Sequence, residues 1–201
     1  MRWVKSRGLN MSAYFRKVRD SVNVLPLSNS LKRQPELFGK YNFRRIAPNT
    51  PHADMTDIYL RYRDDLEELM ASGSMAKAGD PHRSVWMPCH EALPQATPIV
   101  FDLMRLVCGE ELGGILITKL PPGGKIKPHV DLGWHARSYE KYVVSIEQSA
   151  GAVFKFPDGE FEAMPGDIHW FDNSVLHSVE NNSNTDRVVM IIAIRHNRDL
   201  L

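Results

Sequence analysis

The sequence predicts a mainly β fold with flanking helices, of the double-stranded β-helix type (jelly roll, cupin-like). Three observations predict it. From residue 113 onward, short β-prone runs alternate with Gly, Pro and Asp turn signals. Seven or eight strands at that spacing suit a jelly roll. One clear amphipathic helix precedes them, and no apolar run approaches the roughly 18 residues that a membrane span needs.

The elements follow in chain order. Residues 1–45 read as a basic, partly helical lead-in, with eleven Lys/Arg against two Asp/Glu. Residues 46–201 read as the β-helix domain, with fourteen against twenty-two, so the net charge of +1 hides an asymmetry. A basic arm can bind nucleic acid or an anionic surface, or lie on the acidic body of its own domain. The last is favoured, since no interleaved aromatics or nucleic-acid motif accompany the charge. The first twenty residues share the Arg-rich, acid-poor composition of an organellar transit peptide, and Met11 is an alternative start. Cys89 and Cys108 are the only cysteines. Two thiols give no disulfide framework, which makes a reducing cytoplasm the simpler location.

Residues 58–63 alternate as a strand does. Residues 64–80 are polar, contain Gly73 and Gly79, and read as helix fragments in a connection. Three prolines mark 80–94 as an irregular loop. The helix is expected over 98–108, with Pro98 in its first turn, Ile99, Leu103 and Leu106 at helical spacing, and Gly109 as its stop. Strands are expected at 115–120, 142–147, 152–156, 160–163, 168–171, 176–179 and 187–195. The turns are Pro121-Pro122-Gly123-Gly124, Pro157-Asp158-Gly159 and Met164-Pro165-Gly166-Asp167. The nearly continuous apolar run at 187–195 reads as a central strand buried on both faces.

Four residues in this β-rich part carry the chemistry. His129 and Asp131 lie two apart, and residues i and i+2 of a strand share a face. His177 would come from another strand brought close by the fold. Two imidazoles and one carboxylate are the donor set of a facial non-heme Fe(II) site, which leaves positions open for a chelating cosubstrate and dioxygen. His169 is the rival third ligand. The remaining histidines, His52, His82, His90, His135 and His196, read as surface, loop or substrate-side residues. Arg187, ten beyond His177, would grip a carboxylate with its planar fork; Lys119, Lys125, Lys127 or Lys141 could assist or replace it.

Residues 119–196 resemble the aspartyl/asparaginyl β-hydroxylase-like branch of the 2-oxoglutarate/Fe(II) oxygenases. The resemblance rests on the run from Pro165 to Val179, which holds Gly166, an apolar strand, Phe171-Asp172-Asn173-Ser174 and then His177. Arg187 and the segment Ile126-Lys127-Pro128-His129 also match. Animal hydroxylases of this branch have Gly at the position of Asp131. The carboxylate here restores the commoner full triad. It argues against a halogenase, whose iron needs that position vacant, and against transfer of the animal substrate.

The resemblance implies Fe(II) held by His129, Asp131 and His177, with Arg187 on the distal carboxylate of 2-oxoglutarate. Tyr142 and Ser145 are expected to face the cosubstrate, and Trp134, His135 and Arg137 of the loop 132–140 to contact substrate. Arg61 and Arg63 are candidates for an anionic-substrate contact, or a solvated strand face. The implied partners are 2-oxoglutarate, dioxygen and an amino-acid, peptide or small-molecule substrate. The implied activity is hydroxylation of an unactivated C–H, with release of succinate and carbon dioxide. The alternatives are an oxygenase acting on another small molecule or a nucleobase, and a cupin-like module that holds metal or ligand without turnover. The eight-residue gap from Arg187 to Arg195 fits poorly the closer arginine pair of the nucleic-acid demethylases.

Overall fold

The computed structural model describes residues 12–47, 49–72 and 79–196; Met11 and Gly73 lie outside the described residues. Two antiparallel sheets form the body. In the seven-stranded sheet the order is β1 (Phe15–Arg19), β9 (Ile168–Phe171), β6 (Glu140–Glu147), β11 (Arg187–Arg195), β4 (Glu111–Leu120), β2 (Thr56–Arg63) and β3 (Ser84–Trp86). In the four-stranded sheet it is β5 (Lys125–His129), β10 (His177–Asn181), β7 (Ala152–Phe156) and β8 (Gly159–Phe161). The helices are α1 (Leu25–Arg33), α2 (Phe43–Ile46), α3 (Leu66–Ser72), α4 (Ala96–Leu106) and α5 (Trp134–Ser138). Apart from the consecutive pairs β2–β3 and β7–β8, neighbours in the sheets are far apart in sequence, as a double-stranded β-helix requires. Among the described residues, no helix is long and apolar enough to cross a membrane.

β11 explains the architecture. Val188, Met190, Ile192 and Ile194 alternate onto the outer face, where they pack with Leu27 and Leu31 of α1 and Ile99, Val100 and Leu103 of α4. Val189 and Ile191 point the other way, into the space between the sheets, with Phe154, Phe156, Phe171 and Val179. Both faces are apolar because helices cover one and a second sheet covers the other. Polar exceptions on the inner face therefore call for a reason.

The lead-in contributes to this same unit. β1 pairs with β9 as the sheet edge, and Leu27 and Leu31 pack in the core of β6 and β11. Lys17 meets Asp167 at 2.8 Å and Lys32 meets Glu147 at 3.4 Å, so part of its positive charge lies against acids of the body.

Several boundaries differ from expectation. α4 begins two residues before Pro98, and the left-handed residue after it is Cys108 (φ 51°) rather than Gly109. The proline-rich loop 80–94 carries the short strand β3, because Ser84–Trp86 completes the edge of β2. The loop after Asp131 contains α5, entered through Gly133 at φ +93°, a conformation that favours glycine.

α4 gives a direct test of this packing. Leu103 is buried in the sheet–helix core, whereas Phe101 of the same helix is 42% exposed. Leu103→Ala should cost about 2–5 kcal/mol in urea unfolding, and Phe101→Ala under about 1 kcal/mol. Equal losses would mean that α4 does not pack as described.

Candidate functional site

The first ligand segment is shaped by a proline. β5 pairs antiparallel with β10, but the register shifts between the pairs His177↔His129 and Val179↔Ile126. One extra residue therefore bulges from β5 beside Pro128, which has no N–H to give a ladder. The bulge sends the Lys127 N–H to the Pro51 carbonyl at 3.0 Å. It also leaves the Lys127 carbonyl to accept from His129 Nδ1 at 2.8 Å. Because a carbonyl only accepts, Nδ1 carries a proton, and in the neutral ring Nε2 is the nitrogen left to bind a metal.

The second segment reaches the same result through the Asp172-Asn173-Ser174 motif. The Asp172 carboxylate accepts from the Ser174 N–H at 2.9 Å and from its hydroxyl at 2.6 Å, closing a tight turn. That turn delivers His177, whose Nδ1 donates to the Val175 carbonyl at 2.8 Å. Asn173 joins the two ligand segments. Its carbonyl accepts the Asp131 N–H at 3.0 Å, and its side-chain amide donates to the Ala136 carbonyl at 3.2 Å.

The register puts His129 and His177 directly opposite each other, with ring centroids 4.4 Å apart. Asp131 lies just beyond the end of β5 rather than within it, so its hydrogen bond to Asn173, not strand alternation, places it. Its Oδ1 is 3.5 Å from His129 Nε2. One donor atom from each of the three residues lies within 4.8 Å of the other two. Burial raises the Asp131 carboxyl, but the His129 contact and the Lys141 charge outweigh it, and the net shift is downward. Burial lowers the His177 imidazole. The cluster offers two imidazoles and an ionised carboxylate, the donor chemistry that suits Fe(II).

The three residues line a cavity of about 280 Å³ together with Arg187, Thr118, Lys141, Arg44, His52, Tyr62, His82 and His135. Arg187 opens β11 on its inner face and is 3% exposed. Its Nε has no hydrogen-bond partner, and no ion pair reaches it among the described residues. Burial alone lowers this guanidinium to about 10. An orphaned buried guanidinium is a fit receptor for a carboxylate.

The other expected residues separate into two groups. His135 lines the cavity; its Nε2 accepts the Gly114 N–H at 3.0 Å. A bulge at Gly113-Gly114 frees that N–H, and a Cβ on Gly113 would meet His135 Nε2 at 2.7 Å. Trp134 and Arg137 do not line the cavity: Trp134 packs edge-on against His82, and Arg137 is exposed. Tyr142 is a correction. Its ring lies in the helix-side core and its hydroxyl meets His196 at 3.0 Å, because alternation along β6 turns Lys141, not Tyr142, toward the cavity. Ser145 is fully buried with an unpartnered hydroxyl, but it too does not line the cavity.

Of the candidate lysines only Lys141 lines the cavity; Lys119 covers Phe38 and Lys125 approaches Glu180. Arg61 lies over Trp86, and Arg63 bonds Asp65. His52, from the loop after α2, packs edge-on to His129 at 4.7 Å and is held at about 2 by burial and by Arg44. Arg44 and Tyr62 were not foreseen as cavity residues, and His52 and His82 were read only as surface, loop or substrate-side positions. No motif marks them, since they come from scattered positions before the β-rich part.

The rival ligand, His169, stands apart from the cluster. It stacks on Phe161 at 4.2 Å, and burial lowers it to about 4.

The fold is a double-stranded β-helix, and a His-Asp-His cluster that could hold a metal ion lines its cavity. A family model described as aspartyl/asparaginyl beta-hydroxylase matches residues 69–197, well over half of the chain. The chain belongs to that family, and so to the 2-oxoglutarate/Fe(II)-dependent hydroxylases. Solved structures repeat the fold at low identity. A 2OG-Fe(II) oxygenase family oxidoreductase from Burkholderia pseudomallei is 17% identical, with TM-score 0.51 over 83% of this chain and 78% of that one. The viral collagen prolyl hydroxylase of Paramecium bursaria Chlorella virus-1 is 10% identical, with TM-score 0.52 over 92% and 97%. A Pseudomonas putida prolyl-4-hydroxylase is 12% identical, with TM-score 0.50 over 92% and 94%. No curated protein sequence matches the chain.

His169 predicts an acid dependence of stability. Its folded value is near 4, below the ordinary 6.5. As pH falls through that window, the unfolded chain binds a proton that the folded chain refuses, so stability drops; above 6.5 the effect is absent. His169→Leu should shrink the loss between those pH values by about 3 kcal/mol, measured by urea unfolding at each pH. An unchanged pH profile would show that His169 titrates normally in the fold.

Proposed function

We propose that this chain is an Fe(II)- and 2-oxoglutarate-dependent dioxygenase that hydroxylates an unactivated C–H of an amino-acid, peptide or protein side chain. His129, Asp131 and His177 hold the metal, and Arg187 binds the C5 carboxylate of the cosubstrate. The observation that carries this reading is the presence of both devices in one cavity: a three-donor cluster and a buried guanidinium without an ion-pair partner. With metal and cosubstrate bound, dioxygen converts 2-oxoglutarate to succinate and carbon dioxide and supplies the oxygen atom inserted into the C–H bond.

The residues have separate tasks. His129 and His177 present unprotonated Nε2 atoms, because the Lys127 and Val175 carbonyls fix their Nδ1 protons. Asp131 supplies the negative donor and stays ionised. Arg187 orients the cosubstrate and rejects molecules without a second carboxylate. Phe154, Phe171, Val179, Val189 and Ile191 form apolar walls that limit water around the reacting atoms. Orientation and water exclusion are the protein's share of such a reaction.

Anaerobic addition of Fe(II) and then 2-oxoglutarate should give the weak visible charge-transfer band of their chelate. His177→Ala should abolish the band, and its retention would move the third ligand elsewhere. Arg187→Ala should weaken 2-oxoglutarate binding by about 2–5 kcal/mol in a titration of that band. An unaltered titration would remove Arg187 from the cosubstrate site.

A further inference from the structure

Besides Arg187, the cavity wall carries a second side chain with an orphaned polar atom. His82 lines the cavity, and its Nε2 is buried with no hydrogen-bond partner among the described residues. Its Nδ1 donates to the Asp80 carbonyl at 2.9 Å, so in the neutral ring Nε2 is an acceptor. Buried polar atoms are seldom unpaired, and an exception inside a ligand cavity points to the ligand.

The ring is held from two sides. Trp134 meets it edge-on at 5.4 Å, and His135 lies parallel to it (1°) with centroids 5.6 Å apart. The loop that carries His82 is tied to the loop after Asp131. The Trp134 N–H donates to the Gly79 carbonyl at 3.0 Å, and a Cβ on Gly133 would lie 3.1 Å from the Gly79 Cα. His135 supplies the complementary atom. Its Nε2 accepts the Gly114 N–H, so in the neutral ring Nδ1 carries the proton and donates. Both residues line the cavity, which thus offers one acceptor and one donor on separate rings.

We infer that this pair reads the backbone of the primary substrate: an amide N–H donates to His82 Nε2, and a carbonyl accepts from His135 Nδ1. A carboxylate has no proton to give His82, and an apolar group would leave Nε2 buried and unpaired. A hydroxyl carries both functions on one atom and serves one ring. An extended peptide residue presents its N–H and its C=O to the same side, as antiparallel ladder pairs do. His82 is then a specificity-determining residue that places the backbone and leaves the choice of side chain to the rest of the cavity.

This inference rests on the cosubstrate reading, and one experiment separates their failures. The Fe(II)–2-oxoglutarate band is recorded first for the wild type, His82→Phe and His82→Gln. Absence of the band in the wild type would overturn the cosubstrate reading and this inference with it. With the band intact, the proteins are loaded with Mn(II) and 2-oxoglutarate, which permits binding without turnover. Calorimetry then compares three sets of probes bearing each protein side chain: N-acetyl amino-acid N′-methylamides, their counterparts in which an ester oxygen replaces an amide N–H, and the free amino acids. The wild type should bind at least one amide, and its ester at least about tenfold more weakly, as expected when a buried acceptor loses its donor. His82→Phe keeps an aromatic ring but no acceptor, so it should level amide and ester without weakening 2-oxoglutarate. His82→Gln, which returns an acceptor oxygen, should restore part of the difference. Four results would overturn the inference: equal affinity for amide and ester, an amide preference that survives in His82→Phe, binding of free amino acids alone, or no probe bound by the wild type.

Discussion

The pairing of β5 with β10 is the constraint on which the site depends. Register places His177 opposite His129, and the rest of the cluster is arranged around that pair. A slip of one residue would turn every β10 side chain to the other face. His177 would leave the cavity, and Val179 would leave the core it shares with Phe154 and Phe171. The register is thus held by apolar packing, not by the metal ligands. Phe154, Phe156 and Val179 give the four-stranded sheet an inner face that is stable in only one alignment.

The same logic applies to β11 in the opposite sheet. Its alternation commits Val188, Met190, Ile192 and Ile194 to the helices and leaves Arg187, Val189 and Ile191 facing the cavity. Ordered on both sides by β4 and β6, the strand cannot turn its first residue outward without breaking a ladder on each flank. Arg187 is therefore held in an unfavourable place by the surrounding core. Such strain against burial is tolerable when a ligand relieves it, which is why a guanidinium without a partner belongs with the chemistry and not with the scaffold.

Much of this was legible in the sequence, and the reasons for the failures are specific. The strands after residue 113 were legible because turn residues separate them. The triad was legible because His-x-Asp, the Phe-Asp-Asn-Ser turn and Arg187 keep fixed spacings in one segment. Tyr142 was misplaced because strand periodicity gives two faces but does not say which one is inner. The bulges in β4 and β5 illustrate the difficulty, since each shifts alternation by one. Arg44, His52, Tyr62 and His82 come from a part of the chain with no shared spacing. Only the pairing of β2 with β4, and the packing of loops around it, brings them to the cavity. The lead-in was read by its charge, whereas its fold depends on Leu27 and Leu31, two apolar residues at helical spacing in a short segment.

The two imidazoles are prepared in one way. Each Nδ1 donates to the carbonyl two residues earlier in its own chain, Lys127 for His129 and Val175 for His177. Metal-binding histidines are often oriented by a second carboxylate, which adds negative charge near the ion. Backbone carbonyls fix the tautomer just as firmly and add no charge. That choice keeps Asp131, among the described residues, the only acid lining the cavity, beside Arg44, Lys141 and Arg187. The bulge at Pro128 and the turn at Asp172 are the local features that bring each carbonyl to its imidazole.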